Sequence, residues 1–135
     1  VQMLTGEGKT ITATIPLYLR ALMGKGLVVQ MTTVDHYAKE NFTDTKGVFE
    51  LLGVTSAAVT RDGARFADPS GERGIRYEEG DAAKRKAYEA QVVYVSVAAD
   101  AFDRLHDRLA LSDEERFVRQ VRYFVNVDEV DNFTM

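Results

Sequence analysis

A run of glycines and a lysine near the start of the chain has the residue types that bind phosphate. The run is Thr5-Gly6-Glu7-Gly8-Lys9-Thr10. Glycines tolerate left-handed dihedral angles, so successive backbone N–H groups can point into one concavity. A helix that starts directly after such a loop adds free N–H groups and a dipole that favours an anion. The pattern therefore predicts that these six residues bind the phosphates of a ligand.

Lys9 and Thr10 indicate that this phosphate belongs to a nucleotide. Lys9 is placed to reach the β- and γ-phosphates, and the Thr10 hydroxyl is placed to ligate Mg²⁺. We therefore expect ATP or ADP with Mg²⁺. The full pattern is G-x-x-x-x-G-K-[ST], and Met3 stands where its first glycine is expected. Taken alone, the loop is also compatible with a glycine-rich turn whose lysine is solvated.

Two adjacent carboxylates near the other end of the chain complement this loop. Asp128 and Glu129 follow an apolar run, and Asp131 completes a D-E-x-D pattern. Asp128 is expected to hold Mg²⁺ through water, and Glu129 to accept the proton of an attacking water. By itself the pattern is better explained as an acidic turn. Combined with the phosphate loop, it predicts an ATP-binding site.

Short apolar runs alternate with amphipathic stretches along the chain. Strands are predicted over 1–4, 27–31, 54–60, 92–97 and 121–127, and helices over 9–23, 35–52, 81–89 and 99–109. This alternation is typical of an α/β fold with a parallel sheet and helices on its faces. Ligands bind at the carboxyl ends of the strands in such sheets, where the acidic motif lies.

Three details concern the rest of this pattern. Pro16 is expected to kink the first helix. The segment 61–81, rich in Gly, Asp and Arg, is expected to form a long exposed loop or a short hairpin. Ser112 and Glu115 have the spacing of a capping box that opens another short helix.

The composition restricts the possible functions. The 135 residues suit one domain, and the absence of cysteine excludes a disulfide scaffold, a thiolate zinc site and a cysteine nucleophile. The net charge of −4 is opposite to the basic footprint of nucleic-acid binders. No apolar run has the length of a transmembrane segment, and no signal peptide opens the chain. Because Val1 already has strand character, the chain is expected to be a fragment of a larger protein.

The two motifs and the residues between them resemble one family. After Met3 to Thr10 come Ile11-Thr12-Ala13-Thr14-Ile15-Pro16-Leu17-Tyr18-Leu19, then Ala21-Leu22-Met23-Gly24-Lys25-Gly26, Phe49-Glu50-Leu51-Leu52-Gly53-Val54 and Val127-Asp128-Glu129-Val130-Asp131. These segments are similar to the first nucleotide-binding, DEAD-like domain of SecA, the bacterial preprotein translocase ATPase. A methionine at the position of Met3 is also usual in that family.

Two segments depart from the family's pattern. The family's N-D-Y-L-A-x-R-D corresponds here to Val34-Asp35-His36-Tyr37-Ala38-Lys39-Glu40-Asn41, and its G-T-N-N-E-F-G-F-D-Y-L-R-D-N corresponds to residues 95–108. In the second segment Phe102, Asp103, Leu105 and Asp107 match, but small apolar residues replace the polar start. This divergence resembles the accessory SecA of Gram-positive bacteria. It affects the expected coupling to the general translocation channel and leaves the phosphate chemistry untouched.

The resemblance implies a RecA-like sheet, truncated here at both ends. Residues 1–135 would form a partial nucleotide-binding domain with the phosphate loop at 5–10 and the acidic motif at 128–131. ATP would lie between this domain and a second motor domain, which donates an arginine to the transition state. The second motor domain and the preprotein-binding insertion would lie outside the chain. We therefore expect weak nucleotide binding and almost no turnover from the chain alone.

The resemblance also implies partners and a location for the parent protein. The parent would be a cytoplasmic ATPase, peripheral at the inner face of the cytoplasmic membrane. Its partners would be preprotein substrates and a SecY-type membrane channel. Nucleic acid is not expected as a partner.

Two other functions stay open as alternatives. A nucleic-acid helicase shares the D-E-x-D form, but the acidic balance argues against it. A degenerate RecA-like scaffold that only binds a partner protein would have no physical reason to keep the lysine, the threonine and both carboxylates. The remaining conspicuous side chains are expected to be structural. These are His36 and His106 at the surface or satisfied, Lys84-Arg85-Lys86 as a solvated helix face, and Met31, Tyr94 and Phe124 in the core.

Overall fold

The computed structural model describes residues 8–24, 26–118 and 123–127, with only the backbone of Lys9 and Tyr123. The helices are α1 (Lys9–Met23), α2 (Asp35–Leu51), α3 (Asp81–Ala87) and α4 (Val97–Leu109). The strands are β1 (Leu27–Thr32), β2 (Ser56–Val59), β3 (Gly63–Ala67), β4 (Ile75–Glu79), β5 (Val92–Ser96) and β6 (Tyr123–Val127). Short 3₁₀ turns cover Glu72–Gly74 and Asp113–Glu115.

The strands form one sheet in the order β4-β3-β2-β5-β1-β6. Strands β2, β5, β1 and β6 are parallel, whereas β3 and β4 are antiparallel and extend one edge. Helices α1 and α2 cover one face, and α3 and α4 cover the other. The expected parallel α/β architecture with helices on both faces is confirmed.

The core follows from the alternation of side chains along the buried strands. Val28, Val92 and Tyr94 pack under α1 and α2, while Val29 and Val93 pack under α3 and α4. These strands are apolar on both sides because both faces of the sheet are covered. The expected core positions Met31, Tyr94 and Phe124 are confirmed, with Tyr94 fully buried and the other two packed against the clusters.

Helix α1 has the bounds that its sequence predicts. It ends at Gly24, whose φ of 62° is the left-handed conformation in which glycine ends helices. Leu17 and Ala21 face the core, whereas Pro16 lies on the exposed side of the helix. The helix therefore continues across Pro16 as a single element.

The segment 61–81 forms the hairpin β3–β4, so the hairpin alternative is confirmed and the long-loop alternative is wrong. Arg65 pairs with Tyr77 across the two strands. A Cβ on Gly63 would lie 2.1 Å from the Glu78 carbonyl oxygen, so only glycine allows this close approach of the strands.

The predicted capping box at Ser112 is wrong. The Ser112 side chain accepts no capping hydrogen bond, and Glu115 instead accepts from the Leu111 amide at 3.0 Å. The reason is length, because the segment forms only a three-residue 3₁₀ turn.

The predicted strand over residues 1–4 and the start of the predicted strand over residues 121–127 lie outside the described residues. Within the described ranges, no helix is long and apolar enough to cross a bilayer.

Candidate functional site

The start of α1 lies at the carboxyl edge of the sheet. Helix α1 packs on β1, and only residues 24–26 connect them, so the helix runs antiparallel to the strand. A helix of 15 residues is about 22 Å long and a strand of six residues about 20 Å. The first turn of α1 therefore reaches the edge at which β1 ends, where parallel α/β sheets bind ligands.

The backbone at this turn is suited to an anion. Gly8 has φ 82° and ψ 26°, a left-handed conformation that costs other residues about 1–2 kcal/mol. Its carbonyl accepts from the Thr12 amide at 2.9 Å, so the three preceding N–H groups in the turn have no partner inside the helix. Among the described residues no side chain caps the helix, and its first turn holds no acidic residue. The half-buried Thr10 lies in the same turn.

Three of the predicted site residues lie within the described part of the chain. Gly8, Lys9 and Thr10 lie at the start of α1, at the carboxyl edge. Thr5, Gly6 and Glu7 lie outside the described residues, as do Asp128 and Glu129. Strand β6 ends at Val127 beside Met31 of β1, so the chain reaches this edge directly before the acidic motif. Within the part of the chain that the structure describes, no three acidic or histidine side chains form a metal-binding group.

Asp35 joins three connections at this edge, an arrangement that the sequence patterns did not indicate. Its carboxylate accepts from the Ser96 hydroxyl and, at 3.2 Å, from the Arg61 amide. The same Ser96 hydroxyl accepts from the Ala99 amide at 3.1 Å and caps α4. Asp35 and Arg61 follow β1 and β2, and Ser96 is the last residue of β5, so these contacts fix three neighbouring strand ends. The serine before a helical stretch was the one local signal of this cap.

A buried amide pair aligns β6 with β1. Asn126 donates from Nδ2 to Oε1 of Gln30 at 2.6 Å, and the two residues are opposite each other in the register. Gln30 is buried, so slippage of the strand would leave its amide unpaired. The pair therefore specifies where β6 ends, at Val127, directly before Asp128 in the sequence.

Lys84 is buried, and its prediction as part of a solvated face is wrong. Its ammonium donates to Asp103 at 2.9 Å, and the Tyr88 hydroxyl donates to the same carboxylate at 2.7 Å. Burial raises the pKa of Asp103 above its ordinary value, against the effect of these two donors. Burial also raises the pKa of Tyr88 far above its usual range, so its hydroxyl stays a donor. Lys86, in contrast, is exposed as expected.

The segment before β6 is held by the end of α4. The Asp107 carboxylate accepts from the Phe117 amide at 2.6 Å and from the Val118 amide at 2.9 Å. The Phe117 ring stacks on His106 with centroids 4.1 Å apart. His36 is exposed, as expected, whereas His106 is half-buried and its Nδ1 atom has no hydrogen-bond partner among the described residues. Asp103 and Asp107, which match the family's pattern, therefore have structural roles in joining α4 to its surroundings.

Comparison with known proteins gives one consistent family. The chain matches the SecA DEAD-like domain over residues 1–135. Similar proteins include protein translocase subunit SecA 2 of Staphylococcus aureus strains Newman, N315 and MW2, each 40% identical over 134 residues. These alignments cover 99% of this chain, which spans only 15% of the length of each relative. On the match over its whole length, the chain belongs to the SecA DEAD-like domain family.

Proposed function

We propose that this chain is the ATP-binding part of the motor of a SecA-type protein translocase. The observation that carries the proposal is the start of α1. Gly8, in a left-handed conformation, is followed by a helix turn at the carboxyl edge of a parallel sheet, and no side chain of the described residues caps this turn. Free N–H groups, a favourable dipole and a neighbouring lysine together suit a phosphate chain.

Each predicted site residue has a defined role in this proposal. The backbone from Thr5 to Thr10 binds the phosphates, and Lys9 neutralises the charge on the β- and γ-phosphates. The Thr10 hydroxyl ligates Mg²⁺ directly, and Asp128 holds it through water. Glu129 accepts a proton from the attacking water. When bound, Mg²⁺ stabilises the negative charge that develops on the phosphate oxygens during transfer.

The proposed activity of the whole protein follows from its relatives. Proteins named translocase subunit SecA 2 support ATP hydrolysis coupled to preprotein export by an accessory SecA. In that activity a second motor domain completes the nucleotide site, and a SecY-type channel receives the preprotein. The parent protein works in the cytoplasm, at the inner face of the cytoplasmic membrane. The chain alone binds nucleotide weakly and turns over almost none, because phosphoryl transfer depends on groups from both domains.

The proposal is tested by calorimetric titration of the chain with Mg²⁺-ADP. We expect saturable binding that Lys9→Ala weakens at least about tenfold, since a charge-assisted contact to phosphate is lost. Lys86→Ala is the matched control, because it removes an exposed lysine from α3 on the opposite face of the sheet. Circular dichroism confirms that all three proteins are folded.

Each other result has a defined meaning. Equal binding by Lys9→Ala and the original chain contradicts the placement of the phosphates on this loop. A folded chain that binds no nucleotide supports the scaffold alternative. Salt-sensitive binding of single-stranded RNA supports the helicase alternative.

A further inference from the structure

A cavity lies between α2 and the hairpin β3–β4. Its volume is about 300 Å³, and its walls include Lys39 of α2, Arg65 of β3, Tyr77 of β4 and Arg73 of the connecting turn. Helix α1 packs on β1, and β3 is three positions from β1 in the sheet, which at about 4.8 Å per strand separates the two strands by about 14 Å. The described lining of the cavity includes no residue of α1, so the cavity is distinct from the proposed nucleotide site.

The Arg65 guanidinium is oriented by an aromatic ring, but no carboxylate of the described residues pairs with it. Its guanidinium carbon lies 4.6 Å from the centre of the Tyr77 ring, the residue opposite it in the hairpin. Its Nη1 atom is buried and has no acceptor among the residues that the structure describes. A buried cationic donor without an acceptor is unfavourable, so an acceptor supplied by a ligand would stabilise this arrangement.

A second arginine is held at the cavity by an unusual backbone conformation. Arg73 has φ 56° and ψ 23°, and among the described residues it is the one non-glycine with a positive φ. Such a conformation is unfavourable for arginine and persists only where the surroundings impose it. Lys46 lies beside this turn, because a Cβ on Gly74 would be 2.7 Å from its Nζ. Strain and charge therefore coincide at the connection between β3 and β4.

The lining of the cavity holds more cationic side chains than carboxylates. Glu40 and Glu72 also line it, against the cations Lys39, Arg65 and Arg73. Across the described ranges, none of these five side chains forms an ion pair within 4.0 Å. By contrast, Arg76, Lys84 and Arg116 have carboxylate partners. This cavity thus brings together cations that have no carboxylate partner among the described residues, in a chain whose net charge is −4.

We propose that this cavity binds a phosphoryl group, with the guanidinium groups of Arg65 and Arg73 as its donors. A planar guanidinium matches two phosphate oxygens and forms charge-assisted hydrogen bonds with both. The contact of the Arg65 guanidinium with the Tyr77 ring restrains its position in advance. Free phosphate and a phospholipid headgroup present the same chemistry. The inference does not depend on nucleotide binding at α1.

Residue-resolved NMR with inorganic phosphate tests the site. The titration uses the Lys9→Ala chain, so that phosphate at α1 does not contribute. We expect saturable shifts of the Arg65 Nε–H signal and of the Tyr77 amide. Arg65→Gln should weaken binding by about tenfold to a hundredfold. Arg85→Gln, which removes an arginine from α3 on the other face of the sheet, should leave it unchanged.

A second variant covers the case in which Arg65→Gln does not fold. Arg73→Gly removes one donor and also relieves the positive φ, so it should weaken phosphate binding without loss of folded structure. The absence of saturable shifts at the cavity overturns the proposal. Equal binding by Arg65→Gln and Arg85→Gln, or by Arg73→Gly and the parent chain, overturns it as well.

Vesicles distinguish the two sources of the phosphoryl group. Co-sedimentation with phosphatidylglycerol vesicles, but not with phosphatidylcholine vesicles, assigns the headgroup if Arg65→Gln abolishes it. NMR shifts with inorganic phosphate and no co-sedimentation assign the free ion. A chain that responds to neither probe contradicts the site.

Discussion

Replacing Lys84 by methionine removes the charged partner of Asp103 while keeping most of the volume of the side chain. The Asp103 side chain is only 2% exposed, so water cannot take the place of the ammonium 2.9 Å away. Removing one partner of a buried ion pair costs about 3–5 kcal/mol, because the remaining charge is buried without compensation. The Tyr88 hydroxyl still donates to the carboxylate at 2.7 Å. We therefore expect a loss of about 3 kcal/mol in the free energy of unfolding, at the lower end of that range.

The loss should depend on pH. Burial already raises the pKa of Asp103 above its ordinary value of 3.8, and the contact with Lys84 opposes that shift. Without Lys84 the folded-state pKa rises further above the unfolded one. A carboxyl group shifted in this direction stabilises the fold while it is protonated, and that stabilisation is lost as the pH rises through its folded-state pKa. The deficit of Lys84→Met relative to the original chain should therefore be largest near neutral pH and shrink towards acid.

Urea unfolding followed by circular dichroism measures both effects. Lys86→Met is the control, because it changes the same residue type at an exposed position and should shift the free energy by less than about 0.5 kcal/mol. In a double-mutant cycle, Asp103→Asn should reduce the cost of Lys84→Met by more than about 1 kcal/mol. A Lys84→Met deficit no larger than that of the control, or one that grows towards acid pH, would refute the reasoning.

Three further predictions concern single side chains. Ser96→Ala should lower the free energy of unfolding by about 1–2 kcal/mol in chemical denaturation, since it removes the cap of α4 and a bond to Asp35; an unchanged midpoint would contradict the cap. Arg73→Gly should raise the stability by up to about 1 kcal/mol, because relief of the left-handed strain exceeds the entropy that glycine loses on folding. A lower melting temperature for this variant would argue against the strain. Leu109→Lys should change the stability by less than about 0.5 kcal/mol in chemical denaturation, because Leu109 is 73% exposed in an outward apolar row of α4. A loss of more than about 1 kcal/mol would mean that this side chain is packed.

Local patterns were enough to predict most of the fold. The helical spacing of Ile11, Ile15 and Leu22, ended by Gly24, predicts α1 with its observed bounds. These three side chains are exposed, however, and Leu17 and Ala21 face the core instead. Continuous apolar runs predict β1 and β5 because both faces of these strands are covered. The hairpin β3–β4 was harder to predict. It lies at the edge of the sheet, and its strands alternate small, charged and aromatic residues without one continuous apolar face.

Contacts between distant residues could not be predicted in the same way. Lys84 precedes Arg85 and Lys86 on a short helix. Its burial is favourable because of its contact with Asp103, 19 positions away, whose carboxylate also accepts from Tyr88. Helix α4 turns its acidic side towards the sheet and its apolar row of Phe102, Leu105 and Leu109 outward. This reverses the usual rule for amphipathic helices, so periodicity alone assigns the wrong face to the core.

The candidate site likewise has one part that local sequence predicts and one part that depends on contacts between distant residues. The glycine and lysine types at Gly8 and Lys9 are enough to predict the proposed anion-binding turn, because such a turn depends only on one loop and one helix end. The junction of Asp35 with Arg61 and Ser96 depends on the order of three strands in the sheet. No spacing within the sequence specifies that order.

The central claim is that a nucleotide places its phosphates at the start of α1. Amide chemical shifts of the ¹⁵N-labelled chain, followed during titration with Mg²⁺-ADP, test it most directly. We predict the largest saturable shifts at Gly6, Gly8 and Thr10, and none of comparable size for these residues in Lys9→Ala. Saturable shifts confined to other parts of the chain, or shifts at this loop that persist unchanged in Lys9→Ala, would contradict the claim.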